Sequence, residues 1–104
     1  MAFHLWWQNH DGMRGHVFLL NDQMAALREE MVAQGMVCGE QGGLGIQLSK
    51  LVVPANQFVS PIELDEALEQ ASPEPTTLED AHLWQDFLVF LDGAAQHGGL
   101  RVKP

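Results

Sequence analysis

Three histidines recur at intervals of six, His4, His10 and His16. Imidazole is the commonest metal ligand and the side chain that titrates closest to neutral pH. Spacing alone does not make a site, because ligands must converge. In a β-hairpin with Asp11 and Gly12 at its tip, His16 is expected opposite Trp7 and His4 opposite Leu19, so the three imidazoles do not meet. No His-Glu-x-x-His, paired cysteine or carboxylate cluster at ligand spacing accompanies them. No metal and no cofactor is expected. Cys38 beside Gly39 would need a histidine within hydrogen-bond reach to serve as a nucleophile. A lone cysteine reads first as a small apolar residue. The stretch Gly39–Gly45 lacks the Gly-Lys-Ser/Thr ending of a phosphate loop, and Ser49 has no Gly-x-Ser-x-Gly context. No catalytic residue is assigned, and the pattern leans away from an enzyme.

The carboxylates carry more information. Residues 1–50 hold five acids against Arg14, Arg28 and Lys50, whereas residues 51–100 hold nine acids and no Lys or Arg. Arg101 and Lys103 follow, and the chain totals −9. Glu63, Asp65, Glu66 and Glu69 place like charges three and four residues apart on one helix, which costs a few tenths of a kcal/mol per pair. Broken local rules tend to mark function. Glu63, Glu66, Glu69, Glu74 and Asp86 are therefore expected to form a surface that binds a basic protein partner. Trp6 joins them, because Trp6 and Trp7 are adjacent in a strand and must point to opposite faces, leaving one for an interface. A field of one sign repels nucleic acid and anionic membrane, so neither is an expected partner.

The elements that must position these groups follow from periodicity. Phe3–Gln8 and Gly15–Leu20 read as a hairpin around Asn9-His10-Asp11-Gly12. Asn21 or Asp22 caps a helix to about Gln34 with Met24, Leu27 and Met31 inward, Arg28, Glu29, Glu30 and Gln34 outward, and Gly35 as its stop. Two short strands are expected around Glu40–Gly43, the second running through Ile46 and Leu48. Ser60-Pro61-Ile62-Glu63 is a capping-box helix start. Ser72-Pro73-Glu74-Pro75 must be a loop. Thr76 or Thr77 then caps a helix over Leu78–His97, whose Ala81, Leu83, Trp84, Phe87, Leu88, Phe90, Leu91, Ala94 and Ala95 fill about half its circumference. Leu100-Arg101-Val102 is expected to return as a short edge strand.

The 104 residues suit one domain, 46% apolar and 18% charged. The expected class is α+β: a small, mainly antiparallel sheet, built from the N-terminal hairpin plus one or two further strands, with three helices, the C-terminal one packed across the sheet. A single cysteine and an N-terminus without basic or long apolar character point to the cytoplasm. The functional expectation is a small acidic interaction module, with the profile of an inhibitor or immunity-type protein. A homo-oligomeric accessory subunit is the alternative. A small enzyme or ligand-binding protein using His and Cys38 is a third.

Overall fold

The structure is a computed structural model that describes residues 2–10, 15–39, 41–52 and 56–104. Its main sheet has four antiparallel strands, β1 (Ala2–Trp7), β2 (His16–Leu20), β5 (Gln57–Val59) and β6 (Leu100–Lys103), in the order β2-β1-β6-β5. Three helices, α1 (Asn21–Ala33), α2 (Pro61–Gln70) and α3 (Ala81–Gln96), complete the α+β fold, with α2 and α3 packed against sheet strands. Two-residue strands β3 (Val37–Cys38) and β4 (Ile46–Gln47) form a separate parallel pair, followed by a 3₁₀ turn at Leu48–Leu51.

Alternation sorts the sheet residues. Phe3 and Leu5 of β1, Leu19 of β2, Val59 of β5, and Leu100 and Val102 of β6 are buried on the helix side. Their neighbours Ala2, His4, Trp6, Phe18, Phe58, Arg101 and Lys103 take the other side. Helix α3 is the centre of the core: Trp84, Leu91 and Ala94 are fully buried and Phe87 nearly so, while Val89, the one apolar residue on its wet side, is 72% exposed. Leu100-Arg101-Val102-Lys103 is not an edge. It runs between β1 and β5, because its two inward side chains, both fully buried, fill the middle of the sheet. Strand β5, three residues directly before the Ser60 cap, was outside the sequence expectation.

Several helix ends differ from the local signals. Neither Asn21 nor Asp22 caps α1; Leu20 occupies that position, and the Gln23 side chain reaches back to accept from its N–H at 2.9 Å. Helix α3 starts three residues late, capped by Asp80, which accepts from Leu83 N–H at 3.0 Å. Thr76 and Thr77 are withdrawn from capping because they bind Glu30. That glutamate is fully buried, not solvated. Its carboxylate accepts from the backbone N–H groups of Thr76, Thr77 and Leu78, from both threonine hydroxyls, and from Gln34 Nε2. The capping box of α2 forms as its sequence dictates, Glu63 N–H to Ser60 Oγ at 3.3 Å and Ser60 N–H to Glu63 Oε2 at 2.7 Å.

In the glycine-rich middle, two short strands flank Glu40–Gly43 as expected, the second including Ile46, but they pair in parallel and Leu48 belongs to the 3₁₀ turn. Gly45 explains the geometry. It has φ +101, and a side chain there would collide with the Met36 carbonyl, to which Ile46 N–H donates at 3.0 Å. Only a residue without Cβ lets the chain recross at this distance. Among the described residues no helix is long and apolar enough to cross a membrane.

Candidate functional site

The hairpin register decides what meets what. Strand β1 pairs with β2 as His4 to Phe18 and Trp6 to His16. Each is one residue away from the sequence expectation, which put His4 against Leu19 and His16 against Trp7. A one-residue slip reverses every side chain, so histidines expected to diverge share the uncovered face. Nδ1 of His4 and Nε2 of His16 are 2.9 Å apart, with the rings within 8° of parallel. One nitrogen donates and the other accepts. His16 also stacks on Trp6 with ring centroids 3.9 Å apart, and His10 tilts against Trp6 at 4.9 Å. Burial, then the neighbouring His4 and His10, pull the His16 pKa below the ordinary imidazole value. The expected hairpin tip, Asp11 and Gly12, lies outside the described residues.

Trp7 faces the helices. Its indole N–H donates to the Phe90 carbonyl at 3.0 Å, and its ring stacks on His97 at 4.4 Å. Gly93 of α3 lies against the same ring, where a Cβ would overlap it. His97 caps α3, its Nδ1 donating to the Gly93 carbonyl at 2.7 Å. Beside this contact lies an open groove of about 520 Å³ between α3 and the hairpin strands, lined by Trp7, Val17 and Phe90 and by the exposed Asp86, Asp92 and Gln96. A smaller apolar recess of about 60 Å³ continues it along Leu19, Leu83 and Phe87. The volume is within the range of ligand-sized sites.

The residues singled out for a partner surface are distributed over β1, α2, the loop after α2, and α3. Glu63 is committed to Lys50, Nζ to Oε1 2.9 Å, and to the Ser60 N–H. Burial raises its pKa, but the Ser60 N–H and the Lys50 ammonium outweigh this and hold the carboxyl below its ordinary value. Glu66 accepts from Gly45 N–H at 3.2 Å, which ties α2 to the glycine loop. Glu69 is exposed on α2 and Glu74 is exposed in the loop that follows. Asp86 stands on the groove rim. Trp6 lies on the other face of the sheet, since the adjacent Trp7 faces α3. Cys38 is half-buried and its thiol donates to the Gly45 carbonyl at 3.7 Å, not to a histidine. Among the described residues no three His, Cys, Asp or Glu side chains converge as a metal site would require.

Two features escaped sequence reasoning. The groove depends on where α3 crosses the sheet; its one sequence trace is Gly93, a glycine inside a helix, which marks close approach. The histidine–tryptophan cluster left its trace in the six-residue spacing, but the register needed to read it was absent. Comparison of the chain with protein-family models, with curated proteins and with solved structures finds no match.

Proposed function

We propose that this chain is a cytoplasmic protein-interaction module whose β2–α3 groove receives an apolar segment of a partner flanked by Lys or Arg. The observation that supports the reading is the pairing of an apolar floor, Trp7, Val17 and Phe90, with carboxylates on the rim, Asp86 and Asp92. Residues 51–100 contain no Lys or Arg to neutralise that rim. Desolvating aromatic and aliphatic surface supplies affinity, while rim charges steer and orient. Among the described residues strand β2 pairs only with β1, so its outer edge offers main-chain groups to an extended segment lying along the groove. Of the acids expected to recognise a basic partner, Asp86 belongs to this site, while Glu63 and Glu66 hold structure.

The test is a titration of the ¹⁵N-labelled chain with an eight-residue peptide alternating Val or Leu with Lys. Saturable shifts centred on Val17, Phe90, Gly93 and the Trp7 indole are expected. Reversing Asp86 and Asp92 together to Lys should weaken binding roughly three- to tenfold, the scale of partly exposed charge pairs. Shifts at Glu66 and Glu69 with none in the groove would move the interface to α2 and overturn this reading. A sedimentation mass above that of the monomer, abolished by the same reversals, would identify the groove's occupant as a second copy instead.

A further inference from the structure

The uncovered face of the sheet has a composition opposite to the rest of the molecule. Across its four strands runs the row His16–Trp6–Arg101–Phe58, each residue directly opposite the next. A second row, Phe18–His4–Lys103, lies beside it. The four strands contain no Asp or Glu, whereas residues 61–96, which supply α2, α3 and the loop between them, hold nine acids and no Lys or Arg. The total of −9 therefore hides two surfaces of opposite character. The groups on the sheet are planar or cationic and touch one another. Arg101 lies 4.8 Å over the Phe58 ring, His16 stacks on Trp6, and Phe18 packs edgewise on His4 at 5.1 Å. Phe18 is 51% exposed although it is a large apolar side chain. Gln8 Oε1 accepts from Arg101 Nε at 2.7 Å, which fixes the guanidinium plane.

We infer that this face is a docking surface for single-stranded nucleic acid, with bases stacking on the planar side chains and phosphates meeting Arg101 and Lys103. Charge complementarity selects an anionic partner. The planar groups select nucleic acid over an acidic peptide, because every base has a π-face that stacks on aromatic rings and guanidinium planes, whereas Asp and Glu side chains would leave Phe18, Trp6 and Phe58 without a role. Three strand spacings of about 4.8 Å make the longer row about 14 Å wide, room for two or three bases, as other four-stranded sheets bind them. Of the described groups facing His4, His10 and His16, those of β6 are Arg101 and Lys103 and those of β1 and β2 are uncharged or imidazole, so a bound phosphate meets no carboxylate on these strands.

The experiment is fluorescence anisotropy of labelled dT15 titrated with the full chain at pH 6.5. Saturable binding is expected. Two or three phosphates neutralised on a single strand predict an affinity loss of roughly 7- to 20-fold between 50 and 200 mM salt. Phe18→Ala should weaken binding about fivefold or more through lost stacking. Arg101→Glu and, independently, Lys103→Glu at an exposed position should each weaken it further. Reversal of Asp86 and Asp92 on the groove should leave dT15 binding intact or improve it, so the outcome is separable from that of the groove. No saturable binding by the folded chain, or binding indifferent to Phe18→Ala and Lys103→Glu, would overturn the inference. So would poly-glutamate that binds as well as dT15 and depends on the same residues; it would assign the face to an acidic protein.

Discussion

Thr77 donates both its backbone N–H, at 2.6 Å, and its hydroxyl, at 3.1 Å, to one oxygen of the buried Glu30 carboxylate. With Thr76, Leu78 and Gln34 completing the shell, a charge on α1 anchors the loop that leads into α3. Burial raises the Glu30 pKa, but the backbone N–H of Thr76, the Gln34 side chain and the N–H groups of Leu78 and Thr77 prevail and hold it far below the usual carboxylate range. The unfolded chain thus binds the proton more readily, and the stabilisation is complete above the ordinary carboxylate pKa and lost as pH falls beneath it. Glu30→Gln should cost about 2–4 kcal/mol at pH 7, since the amide places donors against donors. The gap from wild type should narrow at pH 3. Urea unfolding at the two pH values checks both; equal stability at pH 7 would contradict the assigned role.

Gly93 should not tolerate a methyl group. In a free helix Gly→Ala gains about 1 kcal/mol, but here the new Cβ overlaps the Trp7 ring. That ring cannot retreat without losing its bond to the Phe90 carbonyl. Overpacking of this kind costs about 1–3 kcal/mol. Thermal unfolding of Gly93→Ala is expected to show a lower Tm, and a raised Tm would show that the ring has room to move.

The start of α2 separates a cap from a surface ion pair. Ser60→Ala should cost about 1 kcal/mol, since the N–H of Glu63 loses its acceptor. Lys50→Ala should cost less, about 0–1 kcal/mol, because the Lys50–Glu63 bridge remains partly hydrated. Chemical denaturation of the two variants gives the order directly.

His16 provides a second pH window, above that of Glu30. Its pKa is lowered by burial and by His4 and His10, so the folded state resists protonation more than the unfolded one. Stability should be full above pH 6.5 and decline as pH falls through and below that value. His16→Gln should flatten the slope of Tm between pH 7 and pH 5. A wild-type slope unchanged by the substitution would place the effect elsewhere.

Local chemistry was strong where a single helical turn contains the whole argument. Ser60, Pro61 and Glu63 satisfy one another within four residues, so α2 begins where its sequence says. The broad apolar face of α3 is likewise legible, because 3.6-residue periodicity exposes Val89 and buries Trp84, Phe87 and Leu91 in any context. Thr76 and Thr77 look like caps for the same local reason. They do not cap because Glu30, more than forty residues earlier, offers a full negative charge to their N–H groups.

The sequence by itself determined the class of fold, the helical faces, the antiparallel hairpin and the segregation of acids into residues 51–100. Alternation also required Trp6 and Trp7 to part. The tertiary structure alone decided the register that brings His4, His16 and Trp6 together, the central place of β6, and the groove that α3 forms with the hairpin strands. Periodicity is a property of neighbours along the chain and survives in any fold. Register and strand order depend on which distant segments fill the same core, and a shift of one residue is enough to turn histidines that seemed scattered into a single surface.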